Sequence, residues 1–318
     1  MNSHRHGYSN VLTPEQRNTL GRICASALWD VDMGRYSTFR TGGQVDALVT
    51  VELYAELEQV IALLKRWDIS WQILGGGSNI LVASDCLHLV LLRLGGNFTG
   101  LELEMQANEG NDIKVRAGAG CRLSRLLSFC LEQELSGLEW MAGIPGTVGG
   151  AICMNAGAHG NVVADTLKDV EAVDSSGKRV CLTSEEITFG YRRALLPLED
   201  GPICITRGRF LLQKSCRATM NRQCREYRGK RKKTQPVSQP SAGSFFKNPE
   251  GDAAGHLIEQ AGLKGIRCGG AMVSPQHANF IVNTGAATPQ DVLDLMQLVQ
   301  DKVFACSGIV LEPEVKIL

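Results

Sequence analysis

The stretch Leu74-Gly-Gly-Gly-Ser-Asn-Ile-Leu-Val82 sets three consecutive glycines between two apolar runs, with a hydroxyl and a carboxamide beside them. Without side chains, successive backbone N–H groups can converge into a concave nest that takes up a diphosphate, so a dinucleotide is the natural guest. No lysine follows to complete a P-loop, and the G-x-G-x-x-G spacing that opens a long helix is missing, which disfavours an ATPase and a Rossmann site. A tight turn joining two strands would use the same glycines, so this loop alone decides nothing. A second segment, Ala142-Gly-Ile-Pro-Gly-Thr-Val-Gly-Gly-Ala-Ile-Cys-Met-Asn-Ala-Gly-Ala-His-Gly160, is too apolar for a linker and too rich in glycine for regular structure. Close approach to a flat ligand, or tight packing, explains it. Upstream, Ser37-Thr-Phe-Arg-Thr-Gly-Gly43 adds a turn that carries a cation and hydroxyls.

These loops need elements to hold them. Leu53, Leu57, Val60, Ile61 and Leu64 recur at helical spacing, while Trp71 to Leu74, Ile80 to Val82, Leu87 to Leu92 and Ile113 to Ala117 read as short buried strands. Leu123, Leu126, Leu127, Cys130 and Leu131 predict a second amphipathic helix. Val170 to Val173 and Arg179 to Leu182 flank the turn Asp174-Ser175-Ser176-Gly177 as a hairpin. Thr183 with Glu186 three residues on is a capping box and predicts a short helix toward Gly190. Thr288-Pro289 starts a helix with Val292, Leu295, Met296, Val299 and Val303 on one face and Gly308 as its stop. Ile309 to Leu318 reads as a closing strand.

At 318 residues the chain exceeds what one compact core usually supports. Lys+Arg and Asp+Glu both number 33, which argues against a surface tuned as a whole to nucleic acid or anionic membrane. The nine Lys or Arg between Lys214 and Lys233 are read as a mostly solvated helix, because Tyr227 is the only aromatic interleaved with them. No apolar run approaches the roughly 20 residues that cross a bilayer, and the opening MNSHRHGYSN lacks an apolar leader core. A cytoplasmic protein without nucleic-acid or membrane partners is therefore expected; a monomer is expected beside it, although charge and hydropathy do not decide oligomeric state. Eleven cysteines with no C-x-x-C pair fit buried free thiols rather than a disulfide framework or a zinc knuckle, and no metal is expected.

The motifs Thr38-Phe-Arg-Thr-Gly-Gly43, Leu74-Gly-Gly-Gly-Ser-Asn79, Ala142-Gly-Ile-Pro-Gly-Thr-Val-Gly-Gly-Ala151 and Phe189-Gly-Tyr-Arg192, in that order, resemble the FAD domain of the vanillyl-alcohol-oxidase type. Within that group, together with Ser241-Ala-Gly-Ser-Phe-Phe-Lys-Asn-Pro249, Leu257 to Gly265, His277-Ala-Asn-Phe-Ile-Val-Asn283 and Leu311-Glu-Pro-Glu-Val315, they resemble the UDP-N-acetylenolpyruvoylglucosamine reductase (MurB) family from about Tyr36 to the C-terminus. The short spacing from Tyr191 to Ser244 is like that of the shorter type II branch. The resemblance implies an α+β architecture: a two-subdomain FAD-binding fold over residues 1–83 and 84–213, then a smaller α+β substrate domain over 214–318. It implies reduction of an enolpyruvyl ether of a UDP-sugar by NADPH, in peptidoglycan precursor synthesis, with FAD held non-covalently.

Carried onto this chain, the resemblance makes Arg192 the guanidinium for the substrate carboxylate, Ser244 the proton donor and Glu314 the carboxyl partner. Cofactor contacts fall on Arg40, Thr41, Gly42, Gly75, Gly76, Gly77, Ser78, Asn79, Ile80, Ala142, Gly143, Pro145, Gly146, Thr147, Gly149 and Ala151. Substrate contacts fall on Tyr191, Asn248 and His277, and the end of the basic helix near Arg231 to Lys233 faces the diphosphate. Singly, Arg192 beside Arg193 reads as a solvated pair, Ser244 as a turn residue and Glu314 as an exposed acid. Only their joint occurrence points to catalysis. Met272, where a polar residue is frequent in the family, and a chain that stops four residues after Glu314 are departures, and the early stop is expected to loosen the strand around Glu314. Two rivals remain: an oxidase of the same flavin fold, against which no histidine adjoins either glycine loop before His159, and a nucleotide-binding module without turnover.

Overall fold

The computed structural model describes residues 12–104, 112–198 and 201–318. It contains both helices and sheets and divides into two compact units. The first comprises residues up to 31, 45–75 and 86–222; the second comprises 32–44, 76–85 and 223–318. The opening segment met in the sequence, residues 1–11, lies outside the described residues.

In the first unit, helix α1 (Pro14–Ile23) and helix α2 (Tyr54–Arg66) accompany a four-stranded sheet with the order Leu28–Asp32, Gln44–Val51, Cys86–Leu94, Trp71–Ile73. Trp71–Ile73 runs parallel to Cys86–Leu94. Every residue of Val45 to Val51 is buried, which is why this stretch lacks the alternation of a half-exposed strand. α2 buries Leu57, Val60, Ile61 and Leu64 completely, each contributing about 1.5–3 kcal/mol from transfer out of water. A second, antiparallel sheet has the order Arg179–Thr183, Leu167–Val173, Cys204–Lys214, Asp112–Gly118, Leu101–Glu104. Its partners are helix α3 (Leu123–Glu132), with Leu123, Leu126, Leu127 and Cys130 buried, and helix α4 (Val148–Cys153).

Helix α5 (Arg217–Thr234) carries the basic run. The second unit then adds helix α6 (Ala254–Gln260), helix α7 (Pro289–Ser307) and a small antiparallel sheet of Arg267–Cys268, Ala271–Val273 and Ile281–Asn283. Its core joins Phe39, Leu81, Phe245 and Phe246 to Val292, Leu295, Val299 and Val303 of α7. Thr288 caps α7 by accepting from the Asp291 N–H, and Gly308 closes it in the left-handed conformation at φ 71°. No helix among the described residues is long and apolar enough to cross a membrane.

Three expectations need correction. Thr183 and Glu186 do make one capping bond, Thr183 N–H to Glu186 Oε2 at 2.7 Å, but no helix follows. Thr188–Gly190 instead pairs antiparallel with Arg193–Leu195, and a hairpin ladder outweighs one cap. The C-terminal segment is strand only at Lys316–Ile317, which pairs parallel with Ile80–Leu81, because Pro313 removes a donor upstream. None of the cysteines is in a disulfide, but only Cys24, Cys121, Cys130, Cys204 and Cys224 are buried; Cys86, Cys153, Cys181, Cys216 and Cys306 are exposed.

Candidate active site

In the second unit, four loops distant in sequence are stitched together by backbone and amide bonds. Phe245 and Phe246 sink into the core, and Phe39 meets Phe245 edge-on at 6.5 Å. That anchoring leaves Ser244 half-buried at the surface of the unit, after Gly243. The Glu314 N–H donates to the Phe245 carbonyl at 2.8 Å, so the segments of Ser244 and Glu314 are direct backbone neighbours. Asn79 grips the other side of Glu314: its Nδ2 donates to the Glu314 carbonyl at 3.1 Å, and Lys316 N–H donates to the Asn79 carbonyl at 3.1 Å. Leu318 N–H donates to Leu81 at 2.9 Å, which ties down the residues after Glu314 as well.

The glycine loop joins the same cluster. Gly77 accepts from the Thr38 N–H at 2.9 Å, and Thr38 Oγ1 donates to the Ser241 carbonyl at 2.7 Å. Arg40 stands exposed at φ 55°, a left-handed conformation that costs a side-chain-bearing residue roughly 1–2 kcal/mol. It is held there by Asn283, whose Nδ2 donates to the carbonyls of Phe39 and Arg40 at 3.1 and 3.2 Å. Thr41 Oγ1 donates to the Ala287 carbonyl at 2.7 Å. The amides of Gly76 and Gly77 donate to no described residue, although Gly77 is buried. A buried N–H group without an acceptor is rare, and the Gly77 amide, preceded along the chain by the exposed Gly76 amide, suits an anionic oxygen. This half of the cradle therefore fits a dinucleotide diphosphate.

Two buried carboxamides do most of this positioning, and sequence reasoning missed both. Asn279, 4% exposed, receives the Phe246 N–H on Oδ1 at 2.9 Å and returns Nδ2 to the Phe246 carbonyl at 2.8 Å. Asn283 also accepts the N–H groups of Gly285 and Ala287. Their available signal was polarity inside the apolar run His277 to Asn283. His277 is half-buried; its Nδ1 accepts the Asn279 N–H at 3.2 Å, which puts the proton of the neutral ring on Nε2. Burial, with Lys264 second, holds its pKa below the usual histidine value and favours that neutral form. Asn248 is exposed and its Oδ1 accepts the Ala254 N–H at the start of α6.

Arg231, near the end of α5, is a cation with an unsolved local charge. Burial pushes its guanidinium below the ordinary arginine range, its Nε finds no partner among the described residues, and Gln235 one turn later carries a buried Oε1 in the same state. An anionic ligand would compensate both the charge and the open donor.

In the first unit, Arg192 occupies the two-residue connection between the strands Thr188–Gly190 and Arg193–Leu195. Its backbone sits at φ 59°, its Nη1 donates to the Gly157 carbonyl at 3.2 Å, and its guanidinium lies 5.3 Å from the ring of Tyr191, which is exposed. Strained arginines held this way mark places where geometry is over-determined by the surroundings. Asn155 supplies much of that constraint. Buried at 7% exposure, it donates Nδ2 to the Gly190 carbonyl at 3.2 Å and accepts the Ala164 N–H at 3.1 Å. Asn155→Ala should therefore lower stability by about 1–3 kcal/mol through unpaired buried groups. It should also depress turnover while leaving flavin content unchanged; denaturant titration beside steady-state kinetics checks both, and unaltered kinetics would remove Asn155 from the site.

The second glycine segment lies in this unit. A Cβ on Gly75 would stand 2.8 Å from Thr147 Oγ1, the oxygen that caps α4 by accepting the Gly150 N–H. Ala142 N–H is bonded to Glu139 and Ile144 N–H to Met141, and the Gly149 N–H to Ala119, so Pro145 and Gly146 lie in a firmly braced turn with Gly143 and Ala151 at its margins. Gly42, Ser78 and Ile80 fall in the second unit. Each unit thus gathers its own share of the expected residues.

Comparison with known proteins gives two family matches: an FAD binding domain over residues 45–183, and the C-terminal domain of UDP-N-acetylenolpyruvoylglucosamine reductase over 235–318. The UDP-N-acetylenolpyruvoylglucosamine reductase of Syntrophobacter fumaroxidans is 39% identical over 290 residues, covering 91% of this chain and 83% of its own. That of Bacillus subtilis is 37% identical over 308 residues, 97% of this chain and 98% of its own. The crystal structure of the Thermus caldophilus enzyme superposes with a TM-score of 0.78 at 36% identity, covering 92% of this chain and 98% of that one.

Proposed function

The chain belongs to the UDP-N-acetylenolpyruvoylglucosamine reductase family, and from that membership we propose that it reduces the enolpyruvyl ether of UDP-N-acetylglucosamine enolpyruvate to UDP-N-acetylmuramate with NADPH, a step of peptidoglycan precursor synthesis. Bound FAD supplies the two-electron chemistry that relays the hydride. The residues proposed to hold it are Arg40, Thr41, Gly42, Gly75, Gly76, Gly77, Ser78, Asn79, Ile80, Ala142, Gly143, Pro145, Gly146, Thr147, Gly149 and Ala151. No histidine tether is built into these loops, so the flavin is non-covalent. The protein acts as a cytoplasmic monomer, with FAD-binding subdomains over residues 1–83 and 84–213 that also supply Tyr191 and Arg192 to the substrate, and a substrate-binding domain over 214–318.

An enol ether is electron-rich and resists hydride unless the negative charge passed to its carboxylate is stabilised. Arg192 does this with a planar, permanently charged fork that matches a carboxylate bidentately. Ser244 then delivers a proton from its hydroxyl to the ether carbon, an acid made competent by the anionic carbon it faces. Glu314 supports the charge balance as that proton leaves. Tyr191, Asn248 and neutral His277 contact the sugar nucleotide, and Arg231 takes its diphosphate. The observation that carries this reading is the bond from Glu314 N–H to Phe245, which makes neighbours of the Ser244 and Glu314 segments across some 70 residues of chain. Purified protein should show the absorption bands of oxidised flavin, bleach with NADPH, and recover when the enolpyruvyl sugar nucleotide is added under exclusion of oxygen. Flavin that stays bleached would defeat the assignment.

A further inference from the structure

Among residues with no part assigned in the reaction, the first sheet brings together a carboxylate, an imidazole and a thiol. Asp46 lies on Gln44–Val51, and Cys86 and His88 lie on the adjacent strand Cys86–Leu94. Alternation along a strand puts Cys86 and His88 on one face. One carboxylate oxygen, the ring nitrogen and the sulfur all stand within 4.8 Å of one another. We propose that Asp46, Cys86 and His88 form a zinc-binding site.

The second observation is the state of Asp46. Its residue is 3% exposed, and Oδ2 receives a hydrogen bond from no described residue. A carboxylate oxygen removed from water with no donor is costly, and a cation beside it removes that cost. The other oxygen, Oδ1, stands 3.1 Å from His88 Nδ1. Two ligands of a tetrahedral zinc, bonded at about 2.0–2.1 Å, lie about 3.3 Å apart, so this pair needs almost no rearrangement to bind. The nearby Arg17 does not compete for Asp46, being engaged bidentately by Asp30 at 2.7 and 2.8 Å.

The donor set selects the metal. One sulfur, one nitrogen and one oxygen exclude magnesium and calcium, which require oxygen shells, and match the tetrahedral N/S/O chemistry of zinc. Cys86 is exposed and His88 half-buried, so the fourth position opens to solvent. Binding releases the Cys86 thiol proton, because the thiolate is the ligand. Zinc here would clip two neighbouring strands together and stabilise the sheet. The sequence alone gave no hint, since the ligands come from strands 42 residues apart and no cysteine pair is involved.

The test uses full-length, flavin-loaded protein freed of metal by a chelator and titrated anaerobically with Co2+. One equivalent should give the intense red-region d–d bands of tetrahedral cobalt, which flavin absorption does not cover, with a thiolate-to-cobalt charge-transfer band in the difference spectrum. Zn2+ should abolish both and raise the Tm. Cys86→Ser should lose the charge-transfer band and the Tm rise. Even a supporting partner of a ligand is worth about 10–100-fold in affinity, so His88→Ala should weaken binding at least that much. Both substitutions lie outside the core, and their flavin spectra report that they have folded. Absence of tetrahedral bands in the unaltered protein, or the same cobalt spectrum and affinity in both variants, would overturn the proposal.

Discussion

Ser244→Ala leaves reduction of the bound flavin by NADPH at its normal rate and slows reoxidation by the enolpyruvyl sugar nucleotide by about 10²–10⁴-fold, the usual worth of a positioned proton donor. The split is sharp because the hydroxyl takes no part in holding the scaffold. The segment is fixed by the backbone of Phe245 and Phe246, which bond Asn279 and accept from Glu314, and none of these bonds uses the serine side chain. Stability and flavin content should stay close to those of the unaltered protein. Ser244→Cys, which retains a transferable proton at nearly the same place, should restore part of the lost rate, an outcome that a structural role for the hydroxyl does not produce. Stopped-flow absorption of the flavin reads both half-reactions in one instrument. If reoxidation in the alanine variant keeps pace with the unaltered protein, Ser244 is not the acid and the proton comes from elsewhere.

How much of this was legible in the chain depends on how local each feature is. Helix α7 was readable at both ends, since Thr288, Pro289 and Gly308 each act within a turn of their own position. α2 and α3 were equally plain from their apolar spacing, and the hairpin around Asp174 to Gly177 from its turn residues. The motif resemblance singled out Ser244 and Glu314 without any geometry. What it did not contain was the means of holding them: Asn279 and Asn283 look like ordinary polar residues until the carbonyls of Phe246, Phe39 and Arg40 are placed beside them from as much as 244 positions away. The same holds for Asn155, whose partner carbonyl belongs to Gly190, 35 residues on. The failed helix after Thr183 shows the limit from the other side. Its capping bond forms as read, yet the following residues have a strand partner three to seven residues away that a cap signature cannot see.

The glycine loop yields the second large effect: Gly77→Ala should purify as a folded protein with little flavin. Gly77 lies at φ 64°, where an L-residue pays roughly 1–2 kcal/mol, and a Cβ built there collides with the Tyr36 carbonyl and comes within 3.1 Å of the Ser37 Cα. Backbone atoms are the obstacle, so no rotamer change relieves it. Nor can the 36–38 turn swing away, because Thr38 is bonded both to the Gly77 carbonyl and, through its hydroxyl, to Ser241. The strain is relieved only by displacing the glycine loop, which moves the amides of Gly76 and Gly77 and loosens the Asn79 grip on Glu314. Every 1.4 kcal/mol of strain carried by the flavin-binding geometry weakens binding about tenfold, so a loss of about tenfold to hundredfold is expected. Gly262→Ala provides the comparison, since it bears the same left-handed cost at φ 70° with no atom within 4 Å of its Cβ, and it should keep its flavin. The flavin-to-protein absorbance ratio, with circular dichroism as the check on folding, measures both. Equal flavin content in the two variants would mean that close approach at Gly77 serves only the turn and that the cofactor is held by other residues.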